Sequence, residues 1–149
     1  MDEELENTSN HCNYCIYSSF VFLTNVVAGI YFKQYLYAFL FLLLTYTSIV
    51  YHSSKTLLSS ILDKIALYSI IFYGGYKFYI NVKNQDQIYV KNIFKYIFIV
   101  TTFISVVYLY SYGYLTNNYV FHPEYKMSQL YHVLMHLISS IGHHIIIAL

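Results

Sequence analysis

Residues 34–52 have the sequence QYLYAFLFLLLTYTSIVYH, which contains no Asp, Glu, Lys or Arg. A helix of about 20 mainly apolar residues is long enough to cross the hydrocarbon core of a lipid bilayer. Residues 14–32 also lack these four residue types, and only Lys33 lies between the two stretches. The sequence therefore predicts a tight hairpin of two membrane-spanning helices.

Three more apolar stretches follow along the chain. They run from Thr56 to about Ile80, from about Ile93 to Leu115 and from about Met127 to Leu149. Polar residues 81–87 and a segment that contains Pro123 separate them, as expected for loops. We therefore expect an all-α fold, a polytopic transmembrane helix bundle of about five spans, over residues 14–149. We expect an acidic polar tail over residues 1–13 to precede this single domain.

Composition supports lipid rather than water as the solvent around this bundle. Apolar residues make up 58% of the 149 residues and charged residues only 10%, against about 45–50% and about 25% in soluble domains. The eight basic residues are all lysines, spread along the chain, and the net charge is +1. Because no basic cluster exists to neutralise phosphates, nucleic acid is excluded as a partner, and the membrane is the expected one.

The lysines also predict the orientation of the bundle, because positively charged loops tend to remain cytoplasmic. If the N-terminus lies outside, the outer loops hold only Lys55 and Lys126. The inner loops and the adjoining helix ends then hold Lys33, Lys77, Lys83, Lys91 and Lys95. We therefore expect the N-terminus outside and the C-terminus inside.

Polar and ionisable side chains inside the spans are few, and such groups are functional candidates because burying them in lipid is costly. Ser48 and His52 lie four residues apart, on one face of the second helix. Asp63 lies about two turns into the third helix. His132 and His136 also lie four residues apart, a spacing that lets one helix offer two nitrogens to one metal ion.

Counting membrane crossings predicts that these side chains meet. His52 ends the second span, Asp63 lies early in the third, and His132 lies early in the fifth. Two crossings separate Asp63 from His132, and an even number of crossings returns the chain to the same face of the membrane. All of these groups are therefore expected in one leaflet, about one to two turns below its surface.

Three histidines and a carboxylate can support metal-assisted hydrolysis. Three neutral imidazoles leave a zinc ion one open position, where the bound water has a pKa near 7. Asp63 would accept a proton from this water, and Ser48 would hydrogen-bond the water, a ligand or the oxyanion. Because the site opens into lipid, the expected substrate is an acyl chain with a polar head group.

Simpler interpretations apply to several of these residues. A single intramembrane histidine often serves packing, and Asp63 with Lys64 would form an interfacial ion pair. His143, about 10 Å deeper than His136 at 1.5 Å per residue, and the neighbouring His144 are expected to be structural. Cys12 and Cys15 are expected to form a small disulfide or to remain two thiols, because the sequence places no metal-ligating partners near them.

The set Ser-x-x-x-His, then Asp, then His-x-x-x-His, on successive apolar spans, resembles the CREST superfamily of membrane proteins. This superfamily includes the alkaline ceramidases, the progestin and adiponectin receptors and the fusion protein myomaker. The matching residues are Ser48, His52, Asp63, His132 and His136. Residues 48–53 (SIVYHS) look like the family's second-helix motif, and residues 132–142 (HVLMHLISSIG) look like its last helix. The resemblance implies a zinc ion held by the three histidines, with Asp63 and Ser48 around its bound water.

Two functions follow from this resemblance. The first is a zinc-dependent, ceramidase-like hydrolase of an internal membrane of the endoplasmic reticulum or Golgi type, acting on a lipid amide or ester. The alternative is a receptor or membrane-remodelling protein in which the His/Asp site is a structural metal clamp. Family members generally have seven core spans where this chain has five, and alkaline ceramidases carry a Trp-containing acidic calcium loop, whereas this chain has no Trp.

Overall fold

The described part of the chain consists of helices and short connections. The computed structural model describes residues 13–84 and 90–149, and no strand occurs in these ranges. The helices are α1 (Asn13–Ser19), α2 (Phe22–Tyr31), α3 (Tyr35–Ser54), α4 (Leu57–Lys83), α5 (Val90–Val107), α6 (Gly113–Thr116) and α7 (Tyr125–Ile147). A π-helical segment, Tyr108–Tyr112, joins α5 to α6, and a 3-10 turn, Tyr119–Phe121, precedes α7. The expected acidic tail falls almost wholly on residues 1–12, outside the described ranges.

These helices provide five segments that are long and apolar enough to cross a membrane. Spans 1 to 5 are Tyr14–Tyr31, Tyr35–Ser54, Leu57–Lys83, Asn92–Thr116 and Tyr125–Ile147. Large apolar side chains are exposed on the outer surface of every span, as a lipid-facing surface requires. The all-helical fold of the described residues is thereby confirmed, and so are five helices long and apolar enough to cross a membrane, which indicate a multi-pass membrane protein. The orientation of its termini stays a prediction.

Span 1 differs from the single continuous helix expected over residues 14–32, because it is interrupted between α1 and α2. The backbone N–H of Val21 donates to the carbonyl of Ser18, a three-residue turn in place of a helical bond. The hydroxyls of Ser18 and Ser19 both donate to the carbonyl of Cys15. Hydroxyl groups that bond back to the preceding turn in this way commonly bend helices.

Spans 1 and 2 form the tight hairpin that the sequence predicts. Lys33 turns the chain in the left-handed region, with φ of 58°, and the next N–H, that of Gln34, donates to the carbonyl of Gly29 at 2.7 Å. A Cβ atom on Gly29 would lie 3.0 Å from the Cβ of Ala38. Glycine at this position therefore lets the two helices approach each other closely.

Side-chain pairs between spans 1 and 5 show that these two helices run parallel. Cys15 pairs with Gln129, Ser18 with His136, and Asn25 with Ser140 further along. The residue numbers of the partners rise together, as an even number of crossings between the two spans requires. The first turns of spans 1 and 5 therefore lie at the same end of the bundle, which we call the site end.

At the opposite end of the bundle, hydrogen bonds connect span 4, span 3 and the residues that follow span 5. Tyr96 of span 4 donates its hydroxyl to Asn81 of span 3 at 2.8 Å, and the amide of Asn81 donates to the carbonyl of Leu149 at 3.2 Å. Span 4 packs along span 5, where Thr102 lies directly against Gly142. Each of the other three spans packs against span 2, span 5 or both.

Gly74 marks the tightest contact between span 3 and the core. A Cβ on Gly74 would lie 2.5 Å from the hydroxyl of Tyr37 and 2.8 Å from Cε1 of His143. Tyr37 is completely buried and bonded to the His143 ring, so neither group can easily move. The adjacent Gly75 has open space around its Cα.

We expect Gly74→Ala to lower the free energy of unfolding by about 1–3 kcal/mol, the usual cost of overpacking a core. Gly75→Ala is the matched control and should leave stability unchanged or raise it by up to about 1 kcal/mol, because alanine favours the helix. Unfolding of both variants in detergent provides the measurement. Equal stability of the two variants would contradict the packing described for Gly74.

Candidate metal centre

Three histidine rings meet at the site end of the bundle. His52 comes from the last turn of α3, and His132 and His136 come from successive turns of α7. The ring centroid of His132 lies 4.9 Å from that of His52 and 4.8 Å from that of His136. The rings of His52 and His136 are 5.8 Å apart. The structure thus packs together the rings of the three histidines that the sequence nominates as metal ligands, but His136 contributes no atom to the group of possible ligand atoms that lie within 4.8 Å of one another.

A cysteine belongs to the same cluster. The Sγ atom of Cys15 and one ring nitrogen each of His52 and His132 all lie within 4.8 Å of one another. Tetrahedral zinc, with bonds of about 2.0–2.3 Å, holds its ligand atoms about 3.3–3.6 Å apart. The three atoms would therefore approach by no more than about 1.5 Å on binding an ion. Spans 1, 2 and 5 each contribute one ligand to this possible metal site.

The chemistry of these donors fits a transition metal. Thiolate and imidazole are ligands of zinc, copper and iron, whereas magnesium and calcium prefer oxygen. Cys15 is completely buried and His52 is 8% exposed, so a bound ion would be shielded from bulk water. The donor set alone leaves the identity of the metal open.

The expectation that no metal-ligating residue lies near Cys15 is wrong. Cys15 and His52 are 37 positions apart in the sequence. They meet because α1 packs against both α3 and α7. The crossing count that places His52 and His132 in one leaflet also applies to Cys15, which begins span 1 at the same end. That signal was available in the sequence. Cys12, the other member of the Cys-x-x-Cys motif, lies outside the described residues.

Ser18 is the hydrogen-bond partner of the His136 ring. Its hydroxyl carries one proton, which it donates to the carbonyl of Cys15. The same hydroxyl lies 2.8 Å from Nδ1 of His136 and accepts a hydrogen bond in the tautomer that carries its proton on Nδ1. In that tautomer the neutral ring presents the lone pair of Nε2. Fixing the tautomer of a ligand histidine in this way is a common feature of metal sites.

Ser48 is close to the site but its proton is already committed. Ser48 bonds to Ser19 at 2.9 Å, and when Ser19 donates its hydroxyl to the carbonyl of Cys15 at 2.7 Å, Ser48 is the donor in this bond. Ser48 is buried, with 2% of its surface exposed. In this arrangement it can accept a further hydrogen bond but has no second proton to give.

Asp63 is held beside span 2 and is not a member of the Cys/His cluster. Thr47 of span 2 donates its hydroxyl to Oδ1 of Asp63, which lies on span 3, at 3.2 Å. Asp63 is half-buried, whereas the neighbouring Lys64 is exposed. The structure therefore places this carboxylate beside the second helix, and its role as a proton acceptor stays a prediction.

The remaining histidines occupy other places. His143 Nδ1 bonds to the hydroxyl of Tyr37 at 2.7 Å, and His144 Nδ1 lies 2.8 Å from the side-chain amide of Asn25. These contacts are deeper in the bundle than His136, and they agree with the structural role expected for both residues. The ring of His122, in the loop before α7, accepts the backbone N–H of Glu124.

Comparison with known proteins provides no relative on which to base an assignment. No family model matches this chain, and neither a curated protein nor a solved structure matches it. The fold and the site of the described residues indicate a multi-pass membrane protein with five candidate spans and a cluster of Cys15, His52 and His132 at one end of the bundle.

We expect Ser18→Ala to weaken metal binding by about 10- to 100-fold, the usual effect of removing a group that orients a ligand histidine. The matched control is Ser69→Ala on span 3, whose hydroxyl bonds only its own helix, at Ile65. Competition with a chelator of known affinity measures the dissociation constant. Wild-type affinity in Ser18→Ala would show that Ser18 does not determine the tautomer of His136.

Proposed function

We propose that this chain is a zinc-dependent integral-membrane hydrolase, ceramidase-like, that cleaves a lipid amide or ester. His52, His132 and His136 would hold the metal. The observation that carries the proposal is the packing of these three rings, with centroids 4.8 to 5.8 Å apart, at one end of the bundle. The order of Ser48, His52, Asp63, His132 and His136 along the spans, which resembles the CREST superfamily, supports the same function.

The surroundings of the three rings are consistent with this chemistry. When bound, zinc would supply a Lewis acid and a water with a pKa near 7. Thr47 lies within hydrogen-bond distance of Oδ1 of Asp63, and the carboxylate would accept a proton through its other oxygen. Phe22 packs against the His136 ring, with centroids 5.0 Å apart, and restricts its movement. An acyl chain would approach through the lipid-facing surface of the bundle.

A second function is favoured by one specific observation, the presence of Cys15 in the cluster. Structural zinc sites are closed by four protein ligands, whereas catalytic sites keep one position open. A fourth protein ligand would favour a non-catalytic protein of the receptor or membrane-remodelling type, in which the metal clamps spans 1, 2 and 5 together. Metal content and catalysis must therefore be tested separately.

The purified protein should contain close to one zinc ion per chain. We expect this zinc to be lost in His52→Ala and in His136→Ala, because each substitution removes an imidazole ligand. His122→Ala is the matched control, since His122 lies in a loop and bonds Glu124. Mass spectrometry of the metal provides the measurement. Wild-type protein without metal would exclude both the hydrolase and the clamp.

Asp63→Asn separates the two functions. We expect the variant to keep its zinc, because Asp63 is not in the ligand cluster, and to lose hydrolysis by about 10²–10⁴-fold, the usual contribution of general acid–base catalysis. Hydrolysis of a fluorescent ceramide provides the measurement. Lys64→Gln is the control and tests the alternative ion pair. A wild-type protein that binds zinc but hydrolyses no lipid amide or ester would favour the clamp.

A further inference from the structure

Cys15 has a partner that suits a protonated thiol only. Its Sγ atom lies 2.6 Å from the carbonyl oxygen Oε1 of Gln129, to which the S–H group donates. A carbonyl oxygen accepts a proton but repels a thiolate, so this contact exists only while the sulfur carries its hydrogen. Gln129 lies three residues before His132, on the same face of α7. The thiol is therefore held next to the histidine cluster.

The cluster provides a second partner for the same sulfur. Sγ lies within 4.8 Å of ring nitrogens of both His52 and His132. A thiolate buried away from water is costly unless a positive charge lies beside it, and a divalent ion among the histidines would supply that charge. Cys15, His52 and His132 would supply three ligands, and the neighbouring ring of His136 would supply the fourth of a tetrahedral zinc site.

We propose that Cys15 is a displaceable fourth ligand of the metal centre, with Gln129 as its alternative partner. On binding, the S–H bond breaks, the proton is released to solvent, and a sulfur–metal bond forms, as in other thiolate sites. On release, the thiol regains a proton and returns to Oε1 of Gln129. The inference rests on the metal centre of the proposed function and adds a ligand that the three-histidine site lacks.

This exchange gives the site two states. With Cys15 bound, all four positions belong to the protein and the centre is closed. With Cys15 on Gln129, one position is open to other ligands. The interruption of span 1 between α1 and α2 places Cys15 on a separate seven-residue helix.

X-ray absorption at the zinc edge tests the proposal directly on the full-length, zinc-loaded protein in detergent. Zinc–sulfur bonds of about 2.3 Å are distinguishable from zinc–nitrogen bonds of about 2.0–2.1 Å. We expect a sulfur contribution in the wild type, its loss in Cys15→Ser and its retention in Cys12→Ser, which alters the only other cysteine. We also expect Cys15→Ser to bind zinc at least about tenfold more weakly.

The outcomes distinguish this inference from the proposed function. Zinc bound only by nitrogen and oxygen in the wild type would overturn the role of Cys15 and leave the three-histidine site intact. A wild type that binds no zinc would overturn both. A sulfur contribution that disappears in Cys12→Ser and persists in Cys15→Ser would identify Cys12 as the ligand and overturn the role proposed for Cys15. Because the first readout is on the wild type, it does not depend on the folding of any variant.

Gln129→Leu tests the alternative partner. Without Oε1 the thiol loses the acceptor that Gln129 provides, so the sulfur contribution at zinc should equal or exceed that of the wild type. A smaller sulfur contribution in Gln129→Leu would overturn the exchange, because it would mean that Gln129 delivers Cys15 to the metal rather than competing for it.

Discussion

Inside a bilayer no water is present to satisfy a polar side chain, and each such group must find its partner within the bundle. Spans 1 and 5 meet this requirement with matched pairs: Ser18 with His136, and Asn25 with Ser140. A single interhelical hydrogen bond in a membrane contributes only about 0.6 kcal/mol. Several pairs in one order are therefore needed to set the register of two parallel helices, and this register brings Cys15 level with His132.

The same constraint explains where small residues lie. Polar pairs form only if the helices approach closely, and Gly29, Gly74 and Gly142 lie where a Cβ atom would meet a neighbouring span. Small residues at helix interfaces are the usual means of close packing in membranes. The polar contacts and the glycines thus act together: the glycines permit the approach, and the polar pairs select one register among those the approach allows.

The sequence predicts the five spans to within a few residues of each boundary, because hydropathy and length are local properties. The crossing count also predicts that His52, Asp63 and His132 share one end of the bundle. The interruption after Ser19 was not predicted, since it depends on hydroxyl bonds to one carbonyl. The Ser19–Ser48 and Thr47–Asp63 pairs depend on the rotation of each helix about its own axis, which hydropathy does not determine where most of each helix surface is apolar.

The position of Cys15 is predicted only in part by the topology of the chain. Its level in the membrane follows from the crossing count, but its place within the cluster depends on the packing of α1 between α3 and α7. The resulting site places the thiol of Cys15 beside the histidines that we propose as metal ligands. Hydrolase and clamp are therefore two uses of one set of side chains, and the occupancy of the fourth position decides between them.

The proposed metal centre requires one zinc ion bound among the histidines at the site end. Anomalous diffraction at the zinc edge, from crystals of the zinc-loaded protein, locates that ion without reference to activity. We expect a single peak at the site end, about 2.0–2.1 Å from ring nitrogens of His52, His132 and His136. A peak at any other position, or zinc-free histidine rings in zinc-loaded crystals, would contradict the account.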